Sequence, residues 1–182
     1  LHLLKMKITR KEKSIGYALE LIGNSFNNFY NDTLPFPLTN AQKRVLKEIR
    51  SDVKNQKQMN RLLQGDVGSG KTLVAILSML IAVDNKYQAC LMAPTEILAH
   101  QHFITISEYL SHHNINVALL TGSTKKKQRT FLHNNLENGD IDILIGTHAL
   151  LEDKVRFRNL AFVVIDEQHR FGVAQRAKLW KK

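Results

Sequence analysis

The sequence predicts an α/β fold in which a mostly parallel, doubly wound sheet is covered by helices. Strand-like apolar segments alternate with segments of helical periodicity, as at residues 88–92, 95–112 and 117–120. Residues 160–165 are continuously apolar, which is typical of a strand buried on both faces. A chain of 182 residues is long enough for one domain with a short appendage.

Two units are predicted along the chain. Residues 1–33 are basic at first and then rich in Asn and aromatic residues, and they predict a short helical N-terminal segment that links to the lobe. Pro35 and Pro37 force extended backbone and mark the boundary. Residues 34–182 predict the α/β lobe, which we expect to be truncated at its C-terminal end.

The elements of the lobe follow from capping residues and periodicity. Thr39 can cap a helix that carries Val45, Leu46, Ile49 and Val53 on one face. Gly139 is a plausible C-terminal stop for a helix that begins at residue 123 or 124 and reaches residue 136. The predicted strands are residues 61–64, 88–92, 117–120, 141–145 and 160–165, and the other predicted helices are residues 70–83 and 95–112.

Composition narrows the classes of function. The net charge of +10, from 26 Lys and Arg against 16 Asp and Glu, favours a polyanionic partner such as nucleic acid, although solvated lysines explain it equally well. Cys90 is the single cysteine, which excludes an internal disulfide and fits a reducing cytoplasm. No apolar run reaches the roughly 20 residues that span a bilayer, so no membrane association is expected.

Residues 65–72 match the phosphate-loop pattern G-x-x-x-x-G-K-[ST] between a predicted strand and a predicted helix. Glycines let backbone N–H groups approach phosphates, and the helix N-terminus adds partial positive charge. We expect Lys71 to reach the β- and γ-phosphates and Thr72 to bind Mg²⁺. The predicted nucleotide-binding residues of the loop are Gly65, Asp66, Val67, Gly68, Ser69, Gly70, Lys71 and Thr72.

Two carboxylates follow the apolar strand at residues 162–165. At the carboxyl edge of a parallel sheet, Asp166 would lie beside the phosphate loop and hold Mg²⁺. Glu167 would orient or deprotonate the attacking water.

The chain resembles the superfamily 2 helicases. Residues 166–169 read D-E-Q-H and resemble the D-E-x-H box, and the segments similar to motif Ia, motif Ib and the next DNA-contacting motif are residues 93–101, 121–123 and 145–150. The resemblance is most specific to the bacterial RecG-type branch-migration helicases, through residues 34–39 with Gln42, residues 65–72 and residues 166–176. It covers nearly everything from residue 34 onward.

This resemblance implies a RecA-like P-loop NTPase lobe that uses ATP and Mg²⁺ to remodel branched DNA in recombination and repair. It implies catalytic roles for Lys71, Asp166, Glu167 and His169, the last coupling the ATP site to DNA or to a second lobe. Gln42 would contact adenine, although a Thr39–Gln42 capping box also explains it. The implied DNA contacts are Pro94, Thr95, Glu96, Thr121, Gly122, Thr147 and His148.

Other interpretations remain open. A related translocase, such as the transcription-repair coupling factor or a primosomal helicase, shares part of the pattern, and a nucleic-acid-binding module without turnover is a second alternative. Because the second RecA-like lobe and the wedge domain are absent from this chain, we expect very slow hydrolysis. His100, His102, His112 and His113 are expected at solvated positions rather than at a metal site.

Overall fold

The computed structural model of the chain describes residues 16–55, 58–66 and 68–179. Its centre is a four-stranded parallel sheet with the strand order β2-β3-β1-β4. The strands are β1 (Gln88–Met92), β2 (Val117–Leu120), β3 (Ile143–Gly146) and β4 (Leu160–Ile165). The predicted α/β class with a parallel sheet is confirmed.

Helices surround this sheet. They are α1 (Asn24–Asn28), α2 (Asn40–Val53), α3 (Lys71–Asp84), α4 (Glu96–Tyr109), α5 (Lys126–Asn138) and α6 (Val173–Leu179). Shorter turns of helix are the π-helical turn Phe29–Thr33 and the 3-10 turns His148–Leu151 and Gln168–Arg170. None of the described helices is long and apolar enough to cross a membrane.

The central strand β1 separates two apolar clusters. All five of its residues are buried. Because successive side chains of a strand point to opposite faces, Ala89 and Leu91 pack into the cluster that includes α3, whereas Cys90 and Met92 pack into the cluster that includes Leu136 of α5. Helices therefore cover both faces, which is the arrangement that a continuously apolar strand requires.

Residues 61–64 do not form the predicted strand. Leu62 and Leu63 are 61% and 36% exposed, and Arg61 forms ion pairs with Glu48 and Asp52 instead. The prediction was wrong because a strand needs a hydrogen-bonded neighbour, and the edge strand β4 pairs only with β1 among the described residues. The phosphate loop is thus approached by extended chain that lies outside the sheet.

The described part of the N-terminal segment packs on the end of α3. The carboxylate of Asp84 accepts hydrogen bonds from the N–H groups of Gly23, Ser25 and Phe26 at 2.9–3.0 Å, so it caps the N-terminus of α1. Phe29 is fully buried, with its ring 6.0 Å from that of Tyr109. Residues 1–15 lie outside the described residues, and the division of the chain at residue 33 stays a prediction.

Candidate nucleotide site and the adjacent strand-end edge

Two glycines shape the loop before α3. Gly68 and Gly70 have φ angles of +78° and +76°, which cost a residue with a Cβ roughly 1–2 kcal/mol. A Cβ on Gly68 would meet nothing within 4 Å, whereas one on Gly70 would collide with Nε2 of Gln42. The loop leads directly into α3, whose first N–H groups have no intrahelical partner. This open cradle at a helix N-terminus fits phosphate groups. Val67 lies outside the described residues.

The side chain of Lys71 folds back onto its own loop. Its Nζ donates hydrogen bonds to the carbonyl oxygens of Gly65 at 2.6 Å and Asp66 at 2.7 Å. Neutral carbonyls are weaker partners for an ammonium group than anionic oxygens are, because charge on both groups roughly doubles the strength of a hydrogen bond. A phosphate brought to this loop would therefore draw the ammonium group away from Gly65 and Asp66.

Asp166 follows β4 at the edge of the sheet to which β1 also points. Its N–H donates to the carbonyl of Met92 at 2.9 Å, which fixes the end of β4 beside the end of β1. Its Oδ1 accepts from the N–H of Glu167 at 2.9 Å, and its Oδ2 lies 2.8 Å from Nε2 of His102. Both carboxylate oxygens are therefore anchored.

The charge of Lys71 reaches Asp166. The pKa of Asp166 is lowered below its usual value mainly by the hydrogen bond from His102, with further contributions from the N–H of Glu167 and the positive charge of Lys71, although partial burial opposes the shift. The charge of Lys71 is the smallest of these contributions, so the phosphate loop and the acidic strand end interact only weakly. Thr72 is the second residue of α3, and its hydroxyl and the carboxylate of Asp166 are both oxygen donors of the kind that Mg²⁺ prefers.

Glu167 has a backbone conformation that is unusual for a residue with a side chain. Its φ is +49°, and it begins the 3-10 turn Gln168–Arg170. Such conformations persist only where the surroundings impose them, and they concentrate at functional sites. Its carboxylate is 48% exposed and lies 3.3 Å from Nε2 of His169. The strained backbone therefore holds an accessible carboxylate one residue after Asp166.

Gln42 is held by both of its side-chain groups. Its Oε1 accepts from the N–H of Thr39 at 2.8 Å while its N–H donates to Oγ1 of Thr39 at 3.2 Å, so the capping box is present. Its Nε2 donates to the carbonyl of Ser69 at 2.9 Å. Gln42 therefore connects the start of α2 to the phosphate loop. The adenine contact stays a prediction.

The segments predicted to contact DNA follow β1, β2 and β3. Because these strands are parallel, their carboxyl ends meet at one edge of the sheet, beside the end of β4. Thr95 caps α4 by accepting a hydrogen bond from the N–H of Leu98 at 3.2 Å. Glu96 accepts from the N–H of Ser123 at 3.0 Å and from its Oγ at 2.7 Å, which ties the end of β2 to the start of α4.

Arg129 of α5 adds a second brace. Its Nη1 lies 2.7 Å from both carboxylate oxygens of Glu152, and its Nη2 donates to the carbonyl of Thr121 at 2.8 Å. The guanidinium group thereby joins the turn after β2 to the segment after β3. The hydrogen bond from Arg129 is the main reason that the pKa of Glu152 is lowered.

The predicted DNA contacts differ in accessibility. Thr95, Gly122 and His148 are exposed, whereas the side chains of Thr121 and Thr147 are 2% and 1% exposed. Pro94 and Glu96 are half-buried. Thr121 and Thr147 could reach a ligand only through local rearrangement or through the backbone of their turns, and all seven residues remain predictions.

Sequence reasoning missed two residues of this edge. His102 was expected at a solvated position, but its side chain is only 19% exposed and contacts Asp166, which is 64 residues away in the chain. Arg129 was not assigned any role. The spacing of neighbouring residues in the sequence predicts neither of these contacts. The weak signal for His102 is its position between Ala99 and Ile106, which both face the core.

Residues 39–182 match the family model of the DEAD/DEAH box helicases. The chain belongs to this family. It is similar to the ATP-dependent DNA helicase RecG of Aquifex aeolicus, at 51% identity over 180 residues that cover 99% of this chain and 22% of that protein. It is likewise similar to the ATP-dependent DNA helicase RecG of Bacillus subtilis, at 50% identity over 182 residues that cover 98% of this chain and 26% of that protein. The resemblance to RecG-type helicases is confirmed.

Two solved structures resemble this helicase lobe. The structure of RecG bound to a three-way DNA junction matches with a TM-score of 0.83 at 46% identity, covering 94% of this chain and 23% of that chain. The UvsW helicase from bacteriophage T4 matches with a TM-score of 0.64 at 15% identity, covering 99% of this chain and 64% of that chain, and it supports the fold alone. The predicted RecA-like lobe is confirmed. This chain spans about a quarter of the length of the curated relatives described above.

Proposed function

We propose that this chain is the ATP-binding motor lobe of a bacterial cytoplasmic DNA helicase that remodels branched DNA, such as stalled forks and Holliday junctions, in recombination and repair. The observation that carries the nucleotide part is the loop of Gly68 and Gly70, whose positive φ angles lead into the N-terminus of α3 at Lys71. The relatives named RecG, one of them solved on a three-way DNA junction, support the DNA part.

Each residue of the site has a proposed role that follows from its position. The backbone N–H groups of the loop and of the first turn of α3 bind the phosphates, and Lys71 exchanges its loop carbonyls for phosphate oxygens. Thr72 and Asp166 hold Mg²⁺, which when bound neutralises the charge that develops on the phosphates. Glu167 orients the attacking water, and His169, 3.3 Å from Glu167, transmits its position to DNA or to the second lobe.

The DNA surface is proposed at the ends of β1, β2 and β3. Thr95, Gly122 and His148 are exposed there, and phosphates of nucleic acid are commonly bound by backbone N–H groups and short polar side chains. The net charge of +10 favours such a partner. The second RecA-like lobe and a wedge domain are the further proposed partners of this lobe.

Turnover by the isolated chain should be very slow. In P-loop NTPases an arginine supplied from outside the phosphate loop stabilises the transition state by a factor of about 10³ or more. We propose that the second lobe supplies this arginine, so the 182-residue chain binds ATP but hydrolyses it poorly. Robust DNA-stimulated hydrolysis by this chain alone would contradict the proposal.

The experiment that tests the nucleotide site is a fluorescence titration of this chain with Mg²⁺ and a fluorescent ATP analogue, with and without a three-way DNA junction. We expect saturable binding that Lys71→Ala weakens by about 10- to 100-fold, since hydrogen bonds to charged groups contribute roughly 1.5–3 kcal/mol. The matched control is Lys47→Ala, because Lys47 is an exposed residue of α2. Equal binding by the two variants would contradict the proposed site.

A further inference from the structure

His102 occupies a position on α4 where an apolar side chain would be expected. It lies three residues after Ala99 and four residues before Ile106, and both of these residues are fully buried. Residues at this spacing share one face of a helix, so His102 points toward the sheet together with them. A polar ring placed on such a face costs free energy unless it finds a hydrogen-bonding partner.

Asp166 is that partner. The Nε2 atom of His102 lies 2.8 Å from Oδ2 of Asp166, and the two side chains are 19% and 32% exposed. Because both side chains are partly shielded, water competes less for this hydrogen bond than it does for a fully exposed pair. Among the hydrogen bonds of the described residues, His102 supplies the only side-chain donor to Asp166.

The two hydrogen bonds to Asp166 fix the orientation of its carboxylate and leave some of its acceptor positions unused. The backbone N–H of Glu167 holds Oδ1 at 2.9 Å, and His102 holds Oδ2. One bond alone would leave the carboxylate free to rotate about the Cβ–Cγ bond, whereas two bonds fix its plane. A carboxylate has about four acceptor positions, so each oxygen keeps one that these two hydrogen bonds do not use.

Lys71 cannot perform this role in the structure. Its ammonium group is held by the carbonyls of Gly65 and Asp66 and acts on Asp166 only through its charge. When Lys71 binds phosphate, it is engaged elsewhere again. The orientation of Asp166 therefore depends on His102 and on the backbone of Glu167 in either situation.

We propose that His102 is a positioning residue that orients the carboxylate of Asp166 for Mg²⁺, as the proposed function requires. The role resembles that of the second-layer groups which hydrogen-bond metal ligands and whose loss typically costs 10- to 100-fold in metal affinity or activity. Helix α4 also begins among the proposed DNA contacts, at Thr95. The same helix therefore carries a residue of the proposed DNA surface and the residue that holds Asp166.

The test compares the Mg²⁺ dependence of His102→Leu with that of the wild-type chain. Leucine suits the apolar face of α4 and removes only the donor, and thermal unfolding checks that the variant is folded. With a fluorescent ATP analogue held constant, we expect the half-saturating Mg²⁺ concentration to rise by about tenfold. Binding of the analogue in the presence of EDTA should be unchanged, which a general loss of structure would not allow.

Two further variants make the result specific. His102→Gln places an N–H donor at a similar reach and should restore most of the Mg²⁺ dependence. His112→Leu makes the same chemical change at an exposed position beyond the end of α4 and should behave as the wild type. A wild-type Mg²⁺ dependence in His102→Leu, tighter Mg²⁺ binding in it, or equal defects in His102→Gln and His102→Leu would each overturn the proposal.

The outcome also separates this inference from the proposed function. If the wild-type chain and Lys71→Ala show the same absence of binding, then the nucleotide site itself is wrong and the inference falls with it. An independent readout needs no ligand: ¹H–¹⁵N correlation spectra of the imidazole groups should show His102 with its proton on Nε2, and Asp166→Asn should shift that signal. An unchanged signal in Asp166→Asn would contradict the contact.

Discussion

The edge of the sheet where the four strands end has two halves: the proposed DNA half at the ends of β2 and β3, and the nucleotide half formed by the phosphate loop and Asp166. The two halves differ in how their polar groups are hydrogen-bonded. At the ends of β2 and β3, Glu96 and Arg129 bind Ser123, Glu152 and the carbonyl of Thr121, so the proposed DNA half is braced by side chains of its own lobe. In the nucleotide half, Gln42 holds the carbonyl of Ser69 and His102 holds Asp166, but Lys71 of the phosphate loop is not tied to another segment in the part of the chain that is described. Lys71 contacts only its own loop, and residues 61–64 run outside the sheet.

The proposed function accounts for this difference, because the two halves would bind different ligands. A backbone polyanion presents the same repeating groups at every position, so a surface that holds its shape can bind it anywhere along its length. A nucleotide site must bind and release its ligand in each cycle, and groups that exchange internal partners for phosphate oxygens suit that task. We expect the braced half to lose more stability on substitution and the nucleotide half to respond more to ligand.

The largest expected effect comes from a pair of glycines, one in each half. In Gly146→Ala the new Cβ would collide with the carbonyl of Leu120 and crowd the side chain of Leu150. Because backbone cannot give way cheaply, we expect a loss of about 3 kcal/mol or more in the free energy of unfolding. In Gly68→Ala the Cβ meets nothing within 4 Å, so only the conformational cost of roughly 1–2 kcal/mol remains.

Urea unfolding of the two variants beside the wild type measures this contrast. Similar losses for Gly146→Ala and Gly68→Ala would mean that the braced half is as adaptable as the nucleotide loop. Binding of the ATP analogue to Gly68→Ala then shows whether the loop also tolerates the added methyl group when phosphate is present.

Arg129→Gln should have the next largest effect. The change removes the ion pair with Glu152 and the bond to the carbonyl of Thr121, and because the two side chains are 20% and 42% exposed we expect a loss of only about 1 kcal/mol. Arg156→Gln, at an exposed position of the described chain, is the matched control. Equal unfolding free energies for the two variants would show that Arg129 braces nothing.

The contribution of Arg129 should depend on pH. Because the pKa of Glu152 is lowered in the folded chain from its ordinary value of 4.5, the ion pair stabilises the fold fully above that value and is lost as the pH falls through the lower folded pKa. The difference in stability between the wild type and Arg129→Gln should therefore shrink below pH 4.5. A difference that is constant between pH 7 and pH 3 would contradict this origin.

Structural features that depend only on neighbouring residues could be predicted from the sequence. The capping box of Thr39 and Gln42 is encoded within a few positions and is present, and Lys71 and Asp166 follow the loop and β4 as the sequence order requires. The glycine at residue 139 ends α5 in a left-handed conformation as expected, although the helix begins at Lys126 because Thr124 bonds to the N–H of Thr121 instead.

Contacts between distant segments could not be predicted. His102 and Asp166 are 64 residues apart, and Arg129 and Glu152 are 23 residues apart, so only the packing of α4 and α5 against the sheet brings them together. A strand was predicted at residues 61–64, but strand formation also needs a neighbour with free hydrogen-bonding groups. Local sequence carries no information about that neighbour.

Gln42→Ala should have an effect on stability similar to that of Arg129→Gln, and it separates two roles of Gln42. Losing one arm of the capping box and the bond to the carbonyl of Ser69 should cost about 1 kcal/mol of stability. If Gln42 only braces the loop, the affinities for ATP and for inorganic tripolyphosphate should fall by the same factor. If it also contacts adenine, only the affinity for ATP should fall further. Gln128→Ala, at an exposed position of α5, is the control.

Glu96→Ala should have the smallest effect on stability. The direction in which it changes the affinity for DNA is the informative result. The N–H of Ser123 loses its acceptor and should exchange with solvent faster, whereas the N–H of Leu98, capped by Thr95, should not change. Removing a negative charge would by itself tighten DNA binding, and Glu108→Ala, at the other end of the same helix, measures the effect of net charge alone. If the brace shapes the turn after β2, Glu96→Ala will instead weaken DNA binding, because the loss of a fixed geometry outweighs the relief of repulsion. Tighter binding by both variants would mean that the braces of this edge serve the fold alone.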